Sequence, residues 1–316
     1  MTEAPKNENS YLYDFSGRSI DSDAADISFW KKTVREVLRN TDELIAYGDP
    51  QGEQGLRSAL ASYSYKARGV RTNPENIVIG AGIGPLLNIL CGLIGTDNTV
   101  GLENGGFEQA RLIFSDYGID SVILDSDKNG AKTEAIEESE ANILMLLPSA
   151  LSKISVTGLS ARRSAFVKWV GEEKNRLIIE DDYNGELRYT ARSVTAFQGK
   201  CSDKTVYIGS FSKLLLPSVR IAYMVLPDRL VTKFNERRGV YNQTCGKTEQ
   251  IALKNYIETG ELEKHLRRLR KLYYAKSQHL SCAVKEIIPY AGITLYESSI
   301  TAELDLKLKA DSRDIC

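Results

Sequence analysis

The chain has 316 residues, 41 of them Lys or Arg against 42 Asp or Glu for a formal charge of −1, and 42% of it is apolar. That balance excludes intrinsic disorder and offers no basic footprint for a phosphate backbone, so nucleic acid is not an expected partner of this chain alone. The length accommodates about two domains, or one large α/β unit with a small satellite.

In chain order, residues 1–46 read as a polar arm followed by an amphipathic helix, because Phe29, Trp30, Val34, Val37 and Leu38 recur at near-helical spacing. Tyr47-Gly48-Asp49-Pro50 is a turn, and Leu56, Leu60 and Tyr63 mark a helix that stops near Arg68-Gly69. From there apolar runs at 77–79, 99–102, 121–124, 143–147, 177–179, 206–208 and 221–226 alternate with amphipathic stretches at 85–93, 107–117 and 161–170. Such alternation predicts an α/β fold: a mostly parallel, seven-stranded sheet flanked by helices, in a large domain over 47–227. Past Pro227 the chain turns charged, with helix expected over 250–280, and 293–308 reads as a strand pair or as a strand and turn. A smaller C-terminal α+β domain over 228–316 is expected, incomplete because only eight residues follow the alternating Leu304, Leu306 and Leu308.

Five cysteines, Cys91, Cys201, Cys245, Cys282 and Cys316, are scattered without CxxC spacing and read as reduced thiols. With a polar N-terminus and no membrane-length apolar run, they predict a cytoplasmic protein that does not engage a membrane. The two histidines, His265 and His279, lie in a Lys/Arg-rich helical stretch far from any nucleophile-like turn. No His-based metal site or Ser-His-Asp triad is therefore expected, and both histidines are assigned to a helix surface.

Three segments carry candidate chemistry. The first, Val78-Ile79-Gly80-Ala81-Gly82-Ile83-Gly84-Pro85, invites a dinucleotide reading with Glu103 as the ribose ligand. The glycine count does not fit: from Gly80 the third glycine position falls on Pro85, and from Gly82 on Leu87. What the glycines do permit is approach of an anion, such as a phosphate, to backbone N–H groups at a helix N-terminus; the alternative is a plain βα turn.

The second, Leu177-Ile178-Ile179-Glu180-Asp181-Asp182-Tyr183, delivers three acids and a phenol at the carboxyl end of a strand, where open α/β sheets bind ligands. The acids suit a divalent metal, or one of them suits a cationic ring nitrogen while the tyrosine donates to a neighbouring oxygen. The plain alternative is a solvated acidic turn, credible for Asp182, which alternation turns away from its neighbours. The third segment runs from Val206 to Arg220 and sets Lys213 just past a strand, after Ser210-Phe211-Ser212 and before Leu214-Leu215-Leu216. Burial lowers the pKa of an amine and makes it nucleophilic, as Schiff-base lysines require, while Ser210, Ser212 and Arg220 are suited to phosphate oxygens.

Taken together these residues resemble the fold-type I, pyridoxal-phosphate-dependent aminotransferases of class I/II, and most closely the aminotransferase-like domain of MocR/GabR-type GntR-family regulators. The resemblance runs from about Tyr13 to Tyr296. It includes Tyr47-Gly48-Asp49-Pro50-x-Gly52-x-x-x-Leu56-Arg57, Ala67-Arg68-Gly69-Val70, the Glu-Asp-Asp-Tyr run at 180–183 and Ser210-x-Ser212-Lys213-x-x-x-Pro217-x-x-Arg220, in family order.

The resemblance implies that Lys213 carries pyridoxal 5'-phosphate as a Schiff base, that Asp181 pairs with its ring nitrogen, and that Tyr183 bonds its phenolic oxygen. By the same resemblance Phe107 stacks on the ring, Gly82, Ile83 and Gly84 form the phosphate turn, Ser210, Ser212 and Arg220 complete the cofactor site, and Tyr47 reaches the phosphate of a partner subunit. A homodimer and an amino acid or amine substrate are implied. The expected reaction is transamination; the alternative is a cofactor-binding effector module of a MocR-type regulator without its winged helix-turn-helix.

Departures from the family are specific. Where the branch has Pro-Ser-His-Gln-x-Pro-Thr-Gly, this chain has a longer stretch from Pro148 to Gly158 that lacks the histidine and second proline. The small-residue turn carries Ala81, Gly84 and Pro85 in place of the usual hydroxyl and glutamines, so one phosphate donor is expected to be lost. By the same resemblance the arginine that binds the substrate carboxylate is expected to fall beyond Cys316, so poor transamination is expected, and brisk turnover would require another cation, for instance Arg57 or Lys153, in its place.

Overall fold

Seven of the apolar runs pair into one sheet in the computed structural model, which describes residues 20–104, 108–127, 130–148, 156–183, 185–188, 195–295 and 302–306. In chain order, α1 (Ile27–Arg39) and α2 (Gln54–Arg68) precede β1 (Ile77–Gly80), α3 (Ile83–Ile94), β2 (Thr99–Glu103), α4 (Glu108–Asp116) and β3 (Asp120–Leu124). A short hairpin of β4 (Ser126–Asp127) and β5 (Gly130–Ala131) and the single-turn α5 (Thr133–Glu137) follow. Next come β6 (Ile143–Leu146), α6 (Val156–Glu172), β7 (Leu177–Asp182), β8 (Thr205–Ser210) and β9 (Ala222–Val225). The chain continues through α7 (Asp228–Glu236), α8 (Lys247–Glu258) and α9 (Glu261–Ile287) to a hairpin of β10 (Gly292–Leu295) and β11 (Ala302–Asp305).

The sheet order is β1-β9-β8-β7-β6-β2-β3, with the pairs from β8 through β3 parallel and β9 antiparallel to both β1 and β8. Strands β1, β6 and β9 are buried at every position, as is β7 including its three terminal acids, which is why β1, β6, β9 and the first half of β7 read as continuous apolar runs rather than alternating ones.

Side-chain alternation sorts the strand residues onto two covered faces. On one, Val78, Ile179, Val206 and Ile208 pack with Leu86, Leu87 and Leu90 of α3 and with Phe234 of α7. On the other, Ile77, Ile79, Tyr207 and Tyr223 pack with Leu56 and Leu60 of α2 and with Leu253, Leu262 and Leu266 of α8 and α9. Ile178 and Leu144 meet Phe166 and Trp169 of α6 on that same second face.

Two glycines set helix ends. Gly69 takes φ +70 and closes α2 as a left-handed cap, bonding back to Tyr65 O. Gly260, at φ +74, breaks the helix expected over 250–280 into α8 and α9. The β4–β5 hairpin and α5 have no counterpart in the sequence reading, since elements of two to five residues carry too little periodicity to register. No helix among the described residues is long and apolar enough to cross a membrane.

Candidate active site

Strands β1, β6, β7 and β8 end at one edge of the sheet, where β9 begins. Their register puts Gly80, Ala222 and Ser210 in one row and Asp182 beside Gly209, so Tyr183 emerges next to Ser210. Asp181 pairs with Ile208, and both Ile208 and Ala222 belong to the face covered by α3. Alternation therefore turns Asp181, Ser210 and Gly80 to the side on which the N-terminus of α3 opens.

At that N-terminus Gly82 takes φ +94, and a Cβ placed on it would run into the guanidinium of Arg220. Arg220 is itself in the left-handed region, at φ 53 and ψ 46, a conformation that a residue with a Cβ seldom adopts and that the surrounding fold must enforce. Ile83 and Gly84 open the helix, and an α-helix leaves N–H groups at these positions without intrahelical acceptors. The Gly82 N–H donates to Gly80 O at 2.9 Å and the Ala81 N–H to Thr244 Oγ1 at 3.0 Å. Gly82 thus contributes close approach, while Ile83 and Gly84 contribute donors. Ala81, Ser218, Arg220 and Thr244 border one cleft of about 540 Å³ with Trp30 and Leu216.

The three acids of β7 have separate roles. Glu180, fully buried, accepts from the Phe197 N–H at 2.8 Å and the Gln198 N–H at 3.1 Å; burial, then the charge of Asp182, pushes its pKa up to about 7. Asp182 is not the solvated acid of the plain alternative: it is fully buried and accepts from Arg68 Nε at 2.6 Å and Tyr207 OH at 3.1 Å. Burial is the largest single influence and works against the Arg68 charge, but Asp182 together with Tyr207 and Glu186 outweighs it and raises the arginine's pKa. Asp181 faces the other way, is 5% exposed and meets no cation among the described residues. Burial and then Asp182 push its carboxyl up to about 7.

Lys213 lies half-buried in the turn after β8, and burial draws its amine below the usual range. The Ser212 N–H donates to Ser210 Oγ at 3.2 Å in the same turn. Tyr47 is fully exposed in the single chain. Phe107 and Lys153 lie outside the described residues. Arg57 is not available as a substitute cation: it donates to Gly52 O at 2.9 Å, Pro74 O at 2.8 Å and Asp49 Oδ2 at 3.4 Å, holding the 49–52 turn to α2. Glu103 accepts from the Ala131 and Leu147 N–H groups at 3.1 and 3.0 Å, a structural use that ties three strands. His265, assigned to a helix surface, is 1% exposed.

Sequence reasoning missed Arg68, Thr244 and His265. Arg68 sits in the quoted Ala67-Arg68-Gly69-Val70 run, so its presence was visible and its partner was not. The residues present fit a phosphorylated cofactor with a cationic ring nitrogen, because a buried carboxyl without counter-charge and a cationic glycine cradle lie on the same face of the sheet. They do not fit a metal held by the three acids, since Glu180 and Asp182 point away from Asp181 and are committed to amides and to Arg68.

A family model described as aminotransferase class I and II matches residues 15–302. Over 311 residues the chain is 35% identical to the uncharacterized HTH-type transcriptional regulator YdeL of Bacillus subtilis (strain 168), covering 98% of this chain and 67% of that protein. It is 28% identical to the HTH-type pyridoxine biosynthesis transcriptional regulator PdxR of Corynebacterium glutamicum, over 78% of this chain and 53% of that one. The chain thus spans between half and two thirds of these relatives. Among solved structures, a kynurenine aminotransferase of Pyrococcus horikoshii superposes with a TM-score of 0.81 at 22% identity, covering 95% of this chain and 77% of that one. That likeness establishes the fold.

Proposed function

The chain belongs to the aminotransferase class I and II family, and from that membership we propose that it binds pyridoxal 5'-phosphate at the carboxyl edge of the sheet and exchanges amino groups with an amino acid or amine at Lys213. The observation that carries this reading is the Asp181 carboxyl, buried and without a cation among the described residues, on the face where α3 begins. The cofactor, when bound, supplies an aldehyde that condenses with amines and a ring that takes up carbanion charge.

The chain's own residues supply the rest. Asp181 offers the negative charge that keeps a ring nitrogen protonated, and pairing with it would bring the carboxyl back down from about 7. Arg220, Ser210 and the Ile83 and Gly84 N–H groups hold the phosphate, with Gly82 allowing close approach. Tyr183 donates to the ring oxygen, Ser212 shapes the lysine turn, and Phe107 is the proposed stacking partner. Lys213 Nζ, its pKa lowered by burial, accepts the Cα proton of a bound amino acid. Tyr47 is proposed to reach the site of a second subunit.

The likeness to HTH-type regulators favours a second reading, in which the same site serves as the effector-binding part of a longer regulator and turns over slowly. Visible absorption spectra of the chain with pyridoxal phosphate, before and after adding amino acids, test both. A band that shifts with an amino acid and is lost in Lys213→Ala supports Lys213 chemistry, and multiple turnovers with a keto acid favour the enzyme. A borohydride-reducible adduct that persists in Lys213→Ala would sink the assignment.

A further inference from the structure

We propose that His265 is a positioning residue for Lys213, holding the turn that carries the lysine against α9. The inference rests on the role given to Lys213 above. The turn is closed by its own backbone: the Leu214 and Leu215 N–H groups donate to Phe211 O at 3.1 and 2.9 Å, and the Phe211 N–H donates to Ile221 O at 3.0 Å. The Leu214 carbonyl, one residue beyond the lysine, accepts from His265 Nε2 at 2.8 Å. Leu214 and Leu215 share a core cluster with Leu262, Leu266 and Leu269 of α9, so turn and helix are packed as well as bonded. At 1% exposure for His265, water does not compete for that bond.

The protonation state follows from the partners. A carbonyl only accepts and a guanidinium only donates, so Nε2 carries the proton and Nδ1, 3.0 Å from Arg268 Nη2, accepts. Asp26, just ahead of α1, lies on the same side: its Oδ2 is 3.9 Å from Nδ1 and accepts from Arg268 at 3.2 Å and from Tyr256 OH at 2.9 Å. Asp26, Tyr256 of α8 and Arg268 of α9 are the charged and titratable groups around the ring. A second proton, on Nδ1, would set donor against donor. Burial is the largest influence and keeps the ring neutral to below its ordinary range against the Leu214 carbonyl and Asp26, with a smaller push in the same direction from the Arg268 charge.

The test reads Lys213 itself in the cofactor-free protein, by competitive labelling with trace acetic anhydride from about pH 5 to 10 and mass spectrometry of the Lys213 peptide against the exposed Lys66. His265→Gln retains a donor for the Leu214 carbonyl but cannot titrate; His265→Leu has none. We expect wild type and His265→Gln to label Lys213 within about twofold of each other above neutral pH. Only the wild type should depart, by about threefold or more, on the acid side where His265 takes its second proton, and His265→Leu should depart at every pH. A His265→Leu protein with a lowered thermal midpoint and an unchanged labelling profile would make His265 a packing residue only. If that variant does not fold, an acid-side departure that persists in His265→Gln overturns the proposal equally. Labelling needs no cofactor, so a chain that takes up no pyridoxal phosphate refutes the proposed function, whereas an unchanged profile refutes the role of His265.

Discussion

Asp181 and Asp182 are chain neighbours whose environments differ because a strand turns successive side chains to opposite faces. Asp182 is committed to Arg68, and in the buried setting each charge is tolerable only because of the other. Arg68→Met should therefore cost about 3–5 kcal/mol in urea unfolding, and Arg68→Met/Asp182→Leu should recover most of it, because an apolar pair replaces an ion pair better than a lone buried charge does. Two buried oxygens nearby, Asp182 Oδ1 and Glu186 Oε2, have no hydrogen-bond partner among the described residues. Burial, then Asp182, holds Glu186 up at about 7 against an ordinary value of 4.5. The native state thus binds this proton more tightly than the unfolded chain, so the contribution is full below the ordinary value and is lost as pH rises through about 7. Glu186→Gln keeps an acceptor for Tyr63 OH and cannot titrate. Its urea midpoint should exceed that of the wild type near pH 8, with the gap closing toward pH 5.

At the level of the element, the start of α3 is the place where backbone conformation and ligand chemistry meet. Gly82 is needed twice, for its φ of +94 and for the absent Cβ that leaves room for Arg220. Gly95, at the other end of α3, has φ +82 and nothing within 4 Å of a virtual Cβ. With ψ at 179 this conformation is essentially reserved for glycine, so Gly95→Ala should cost only the backbone term, about 1–3 kcal/mol, and leave cofactor affinity unchanged. Gly82→Ala should cost stability too and weaken pyridoxal phosphate by about tenfold or more, since losing one charge-assisted phosphate contact is worth roughly that factor. Equal dissociation constants for the two variants, measured by fluorescence titration, would remove the α3 turn from the phosphate site.

For the whole molecule, the fully exposed Tyr47 acquires a role only if a second subunit is present. The proposed homodimer should sediment as one, and its cofactor affinity should fall on dilution below the dimer dissociation constant. Tyr47→Phe should weaken the cofactor by about tenfold and abolish that dependence on concentration; an affinity independent of dilution in the wild type would place Tyr47 outside the site. Most of the seven strands were legible in the amino-acid order because the sheet is covered on both faces away from its β3 edge, which makes a central strand a largely apolar run bounded by polar or glycine-containing turns. The positions of Asp181 and Lys213 near the carboxyl edge were legible for a related reason: each follows within a few residues of an apolar run, Ile179 and Ile208 being the last apolar strand residues before them, and such edges are where open α/β sheets bind ligands. Local pattern could not assign Arg68 to Asp182, 114 residues away, or His265 to the carbonyl beside Lys213, 51 residues away. Nor could it set β9 antiparallel between β1 and β8 or commit Arg57 to the 49–52 turn. Those outcomes were decided by the tertiary structure, because sheet order and helix packing bring together groups distant in the chain, and a buried charge or imidazole takes its state from whichever partners arrive there.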